Sequence, residues 1–372
     1  MSGRAFGIIF SNMHDESVHE LTSKRTMGSI PYGGRYRLID FVLSNMYNSG
    51  ITKVGVITKS NYQSLMDHVG SGKEWDLSRK REGLFILPPF GRAQSGVYKG
   101  RLDALIGIRE FINRSTSDYV IMSDCDNICN LNYSIPLDSH IANHADVTVI
   151  CKRRPCDNSG SRDTVAYISD KDGRVSEIEI GPPQGQSYDI GLNMWIVNKS
   201  FLENMLDDAQ SHNYQSFERD ILQRGCDKHR IFTWNFDGYA GNVNTIQQFF
   251  HTNMDLLDSA IRDELFFRYG HIYTKVRDDV PAKYGDNATV CNSLIADGCV
   301  IEGEVENSVL FRGVSIGKGA KISNSIVMQG TKIDSNVKLN YVIIDKDATI
   351  KDNRILMGFD SYPLYIAKGS VV

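Results

Sequence analysis

The residues best equipped for chemistry are few and scattered. Seven cysteines (Cys125, Cys129, Cys151, Cys156, Cys226, Cys291 and Cys299) are odd in number and unevenly spaced, which fits reduced thiols rather than a disulfide framework. Cys125-x3-Cys129 lacks a second ligand pair, so a zinc site is not expected. The last of nine histidines is His271. Lys+Arg total 41 against Asp+Glu 45, a formal charge of -4, and no basic block could follow a phosphate backbone, so nucleic-acid binding is not expected. No apolar run approaches the roughly 18 residues of a membrane helix. The N-terminal MSGRAFGIIF has neither a charged n-region nor a cleavage site, so an unexported, cytoplasmic protein is expected.

The elements that must position any site change character once. A length of 372 residues suggests two domains, at roughly 150 residues each. Up to about Leu257, short β-branched runs alternate with helical stretches, the pattern of stacked β-α units. Strands are predicted at 5–10, 51–58, 119–122, 145–150 and 190–197, with a hairpin of 164–168 and 175–180 around Lys171-Asp172-Gly173. A helix over Leu38–Asn48 ends at Gly50. Residues 245–267, apolar at helical spacing, read as one long helix, and 273–285 as a connector.

Beyond Asp286 no helical period survives. Leu310, Ile316 and Ile322 lie six residues apart, as do Val327, Ile333 and Leu339, and the groups recur every 17 residues. Six residues make one face of a triangular coil and 17 make one rung. A single rung cannot bury its apolar side, so a stacked parallel β-helix is predicted. The expected division is 1–257 for the α/β domain, 258–285 for a helix end and linker, and 286–372 for the coil. Such coils support acyl transfer when a histidine between them serves as base. With none after His271, an assembly surface is the expected role.

One string points to a family. Pro31-Tyr32-Gly33-Gly34-Arg35-Tyr36-Arg37-Leu38-Ile39-Asp40-Phe41-Val42-Leu43-Ser44-Asn45, followed by Asn48-Ser49-Gly50-Ile51, resembles the ADP-glucose pyrophosphorylases, or glucose-1-phosphate adenylyltransferases. The likeness continues through Tyr98-x-Gly100-x-x-Asp103-Ala104, Asp126-x-Ile128, Gly191 and Gly238-Tyr239, and closes with the coil. It implies a doubly wound, Rossmann-like nucleotidyltransferase domain with a mixed sheet, then a left-handed parallel β-helix, assembled as a tetramer. It also implies conversion of ATP and glucose 1-phosphate to ADP-glucose and pyrophosphate with Mg2+.

The chain departs from that pattern where the chemistry would be. The family's glycine-rich loop wraps a triphosphate with bare amides. At its positions stand Asn12, Met13, His14, Asp15, Glu16 and Ser17, and the carboxylates of Asp15 and Glu16 would repel phosphate. Arg25 keeps one cation of the next step, while Met27 replaces the lysine that would neutralise phosphate charge. Asp126 matches one metal-binding aspartate and Asn242 falls on the other. Asp124 substitutes only if its strand stays extended to the end. Gly181 stands at the sugar pocket's lysine, leaving Tyr98, Asp103 and Gly191 as remnants of substrate binding.

Such selective loss beside an intact frame makes the chain similar to the regulatory, GlgD-type subunit of the bacterial enzyme. The resemblance then implies a pseudo-enzyme in glycogen biosynthesis that pairs with a catalytic subunit, as a heterotetramer, and tunes its turnover and effector response. No metal or cofactor is expected on this chain, and Mg2+ belongs to the complex. The alternative is a self-sufficient adenylyltransferase with an unusual loop. Arg4, Arg312, Arg354 and Lys368 are candidates for a sugar-phosphate effector site between the domains, or else solvated surface charge. Arg25, Arg35 and Arg37 either bind an anion or form ion pairs that fix the Gly33-Gly34 turn.

Overall fold

The computed structural model describes residues 4–89, 98–156 and 164–372. β1 (Ala5–Phe10) is buried along its whole length, and its unbroken apolar run suits a strand covered on both faces. β2 (Lys53–Ile57) and then β3 (Gly83–Leu87) lie on one side of it and β4 (Tyr119–Asp124) on the other, all parallel. β5 (Val147–Pro155), β6 (Val165–Ser169), β7 (Val175–Ile180), β8 (Ser187–Asn198) and β9 (Ile231–Asn235) complete the sheet. The order is β7-β6-β8-β4-β1-β2-β3, with β5 against β8 and β9 against β5. β8 runs antiparallel to β4, β5 and β6, so the sheet is mixed, as the sequence suggested. Its pairing with β5 shifts register between Gly191 and Trp195, and Asn193 inside that bulge has φ +54°. A bulge re-aims a side chain out of the regular pleat, which matters below.

α1 (Leu38–Asn48) has the bounds its local signals require: Asp40 accepts the Arg37 N–H at 2.9 Å, and Gly50 takes φ +75° past the end. The single helix predicted over 245–267 is instead two, α2 (Ile246–Asp255) and α3 (Ser259–Phe267). Asp258 accepts the Ala260 N–H at 2.8 Å and so caps a new helix rather than continuing the old one. Arg262 closes the break by donating to the carbonyls of Leu256 and Leu257 at 2.6 and 3.0 Å.

The coil has three five-stranded parallel sheets. Leu310 pairs with Val327 and Ile316 with Ile333, so the 17-residue repeat is the register itself. The first coil strand, Lys283–Tyr284, starts inside the span read as connector. One side of the coil, through Val309, Phe311, Ile326, Met328 and Ile343, joins the core of the α/β domain. The two parts therefore meet through a shared apolar cluster, while the coil keeps its own core around Leu310, Ile316 and Ile333. Among the described residues no helix is long and apolar enough to cross a membrane.

Candidate functional site

Two carboxylates and a histidine converge where β4 ends. The strand stays extended through Asp124 and the chain turns at Cys125, so Asp124 and Asp126 both face the loop that follows β1. His14 Nε2 lies 2.8 Å from Asp124 Oδ2 and 3.8 Å from Asp126 Oδ2. The three side chains offer ligand atoms within 4.8 Å of one another.

Asp124 is nevertheless spent. Arg101 donates through Nε to Oδ1 at 3.3 Å and through Nη2 to Oδ2. The same guanidinium reaches Glu218 Oε1 at 2.6 Å and lies 5.1 Å from the centre of the Trp195 ring. Burial opposes charge on Asp124, but Arg101 and His14 outweigh it and hold its pKa below the ordinary carboxylate value. Burial also opposes charge on His14, and there Asp126 and Asp124 win, raising its pKa. His14 Nε2 thus sits between Asp124 and the N–H groups of Arg101 and Asn193, at 2.8, 3.2 and 3.4 Å.

Asp126, wholly buried, is ringed by amides. Its Oδ2 accepts from Asn193 Nδ2 at 2.8 Å, Asn244 Nδ2 at 3.2 Å and Asn242 Nδ2 at 3.5 Å. The bulge in β8 supplies the first of these. An antiparallel pairing of Asn127–Cys129 with Ala240–Asn242 sets Asn242 opposite Asn127. Asn244 sits just before Thr245, whose hydroxyl caps α2 by accepting the Gln248 N–H at 3.0 Å. Asp126 Oδ1 has no partner among the described residues.

This donor set does not fit a resident Mg2+, which takes about six oxygens in near-octahedral geometry. Asp126 has one free oxygen, Asp124 is neutralised by a guanidinium, and Asn242 turns N–H toward Asp126 where the family pattern has a carboxylate. Asn242→Asp replaces an amide donor to Asp126 with a second buried carboxylate. Its expected cost is about 1–3 kcal/mol in urea unfolding. Mn2+ is expected to leave its thermal midpoint where it leaves that of the parent chain, and a Mn2+-dependent rise in the variant alone would show that the cradle still accepts a metal.

The loop after β1 folds inward. Asp15 Oδ1 accepts the Met27 N–H at 2.7 Å, and the Ser17 N–H donates to the His14 carbonyl at 3.1 Å. Met27 is buried in the core, and Asn12 is buried with Nδ2 unpartnered. The expectation that Asp15 meets an incoming phosphate is thus corrected: its carboxyl belongs to the fold, and burial pushes its pKa up to about 7. From an unfolded value near 3.8, the folded chain holds the extra proton across that interval, so this group lowers stability as pH rises from about 4 to about 7. Asp15→Asn keeps the acceptor for Met27. It is expected to match the parent near pH 4 and to exceed it by about 1–3 kcal/mol above pH 8, read from denaturant midpoints across pH.

Beside this cluster lies a cavity of about 320 Å³ lined by Met13, His14, Arg101, Asn193 and Glu218 among others. A second, of about 290 Å³, opens between the two domains and is lined by Arg35, Arg37, Lys275, Arg277, Arg312 and Lys346, with Asp67 and His68.

Two family profiles match the chain: nucleotidyl transferase over residues 16–259, and GlmU-like, C-terminal hexapeptide over 279–362. It is 36% identical to the glycogen biosynthesis protein GlgD of Bacillus subtilis (strain 168), across 100% of this chain and 97% of that protein. With the glucose-1-phosphate adenylyltransferase of Thermotoga neapolitana it shares 33% identity, across 86% of this chain and 76% of that enzyme. The chain belongs to the glucose-1-phosphate adenylyltransferase family. A second protein named GlgD, from Geobacillus stearothermophilus, is 38% identical over 87% of this chain and 84% of that protein. The expected fold, nucleotidyltransferase domain then left-handed hexapeptide coil, is the one found.

Within that family frame the structure disperses most of the residues the sequence singled out. Arg25 is not at the loop. It is buried between the domains, with Nη2 at 2.9 Å from both oxygens of Asp345, because that acid on the coil can neutralise a guanidinium held out of water. Tyr98 is buried with its ring packed on Gly107, and Asp103 accepts the Lys99 N–H at 3.1 Å. Gly191 is held by the Tyr167 ring, which a Cβ there would meet at 2.8 Å. Gly181, at φ +70°, closes the β6–β7 hairpin by donating to Thr164 at 2.8 Å. Of the residues singled out at the loop, Met13 and His14 line the first cavity.

Of the effector candidates, Arg312 lines the interdomain cleft, while Arg4 pairs with Asp138 at 3.3 Å and Lys368 with Asp347 at 3.8 Å. Arg354 is exposed on the coil and does not line the cleft, so the four do not form one site. Sequence reasoning missed Arg101, Asn193, Glu218 and Asn244. Arg101 had a visible signal, a cation inside the Tyr98-x-Gly100-x-x-Asp103 spacing; the Asn193 position depends on a bulge that no local pattern announces.

Proposed function

We propose that this chain is the non-catalytic, regulatory subunit of a glucose-1-phosphate adenylyltransferase complex in glycogen synthesis. The observation that carries the reading is that the catalytic position is filled from within: three amide donors surround Asp126 Oδ2, and Arg101 neutralises Asp124. Charge that a metal and a phosphorylated substrate would balance is balanced by side chains. The fold, being intact around that plug, retains surfaces for assembly. The last coil rung exposes Ile355, Met357, Phe359 and Tyr362, and its strand edges are open to a partner subunit. A catalytic adenylyltransferase subunit is the partner this reading requires, in a heterotetramer where Mg2+ serves the catalytic chain. The cationic interdomain cleft supports a phosphorylated effector there, with Arg312 in place of the wider set expected from sequence.

The test is ADP-glucose formation from ATP and glucose 1-phosphate with Mg2+, by the pure protein and then by its mixture with a catalytic subunit from the same genome, with and without glycolytic phosphates. No turnover alone and a raised rate in the mixture is the expected result. Robust turnover by the pure protein would overturn it in favour of a self-sufficient enzyme.

A further inference from the structure

Lys346 follows the coil strand Val342–Ile344 and faces the interdomain cleft. Its neighbour Asp345 is committed elsewhere: both oxygens lie 2.9 Å from Arg25 Nη2, and the Tyr365 hydroxyl is 2.8 Å from Oδ2. The next acid, Asp347, pairs with Lys368. Among the described residues no acidic side chain forms an ion pair with Lys346 Nζ. Arg37, Arg25 and Lys368 act on it as like charges, and Asp345 alone opposes them. Across the cleft stand Arg35, Lys275, Arg277 and Arg312, the last 3.8 Å from Asp297. Of the remaining lining groups, Asp67 accepts from Gln63 at 2.9 Å and His68 lies 2.5 Å from Asp40. Burial and then Arg37 and Arg25 bring the lysine pKa down to about 7, so a large share of it is free amine near neutrality.

We propose that Lys346 Nζ is a reversible carbon dioxide site, whose carbamate adds an anion among the cations of the cleft. The amine lone pair attacks the carbon of CO2, a nitrogen–carbon bond forms, and one carbonyl π pair moves onto oxygen. The nitrogen then releases a proton to water. Nothing is oxidised or reduced. The position changes from a neutral or cationic amine to a carboxylate that guanidinium groups receive well. Acyl transfer to the same nitrogen leaves a neutral amide and adds no negative charge to the cleft; CO2 is the small neutral reagent that converts this amine into an anion. The inference stands independently of any phosphorylated effector, which would compete for the same cations.

The full-length protein is incubated near neutral pH with 13C-labelled bicarbonate in equilibrium with CO2, trapped with an alkyl oxonium reagent, and mapped by peptide mass. The expected result is a labelled adduct on Lys346, well above the level at exposed coil lysines such as Lys321 and Lys338, and falling steeply below pH 7. Arg37→Gln removes a cation that both lowers the amine pKa and receives the carbamate, and is expected to reduce the adduct about tenfold. A thermal readout protects the test against a misfolded variant. Bicarbonate should raise the midpoint of the parent chain over equal chloride, but not that of Lys346→Arg, which keeps the charge and cannot form the adduct. An equal rise in both would mean simple anion binding and overturn the proposal, as would labelling of Lys346 no higher than that of Lys321 and Lys338.

Discussion

Arg101→Met is expected to lose about 3–5 kcal/mol of unfolding free energy in urea near neutral pH, because it leaves carboxylates buried without their cation. The guanidinium serves two acids at once, Asp124 and Glu218, and its side chain is 13% exposed while theirs are 1% and 9%. A methionine still packs against the Trp195 ring, so the lost term is electrostatic rather than a cavity. His14 alone is left to answer Asp124 and Asp126. The pH dependence follows from the Asp124 shift. In the parent chain its folded pKa lies below the unfolded one, so it contributes stability above the unfolded value and loses it as pH falls through the folded value. In Arg101→Met that contribution falls to what His14 supplies, and the gap between the two chains should close in acid as the carboxylates take up protons. Arg101→Met combined with Asp124→Asn and Glu218→Gln should recover more than half of the loss, the signature of a network rather than of three separate contacts. A variant as stable as its parent would mean that the cavity is open to water at this point and the plug carries no load.

Parts of this structure were legible in the sequence because their causes are local or periodic. Asp40 and Gly50 bracket α1 from within a few residues of its ends, and the 17-residue repeat sets the coil's pairing without reference to anything else in the chain. The long helix failed for an equally local reason: the apolar spacing runs on through residue 258, but the Asp258 side chain caps a new start there. The site was hidden for reasons of distance. Arg25 matches a family position, yet its partner is 320 residues away on a coil whose docking no spacing reveals. Asn193 reaches Asp126 only because β8 slips register, and His14, counted among residues blocking a phosphate loop, sits between two aspartates. A comparison with a motif shows which groups are missing. It does not show which others have moved in.

The Arg25–Asp345 pair gives the second large effect, and it separates a structural arginine from a remnant of catalysis. Arg25→Met is expected to cost about 3–5 kcal/mol, since it strands a buried carboxylate whose remaining polar contacts, the Tyr365 hydroxyl at 2.8 Å and the Lys346 N–H at 2.6 Å, bring no full charge. A group that served only ATP would leave unfolding unchanged and alter nucleotide affinity alone. Lys346 lends the prediction a direction in pH. Burial, then Arg37 and Arg25, bring the Lys346 pKa down from 10.5 to about 7; with Arg25 gone the ammonium loses one of those like charges and becomes the nearest candidate to answer Asp345. That compensation exists only while the amine is protonated, so the deficit of Arg25→Met should widen as pH climbs through the lysine's range. Arg25→Met with Asp345→Asn removes both charges and should restore most of the stability. Because the pair joins the α/β domain to the coil, the same measurements report how far assembly through the coil depends on a residue whose counterpart in the family pattern belongs to phosphate chemistry.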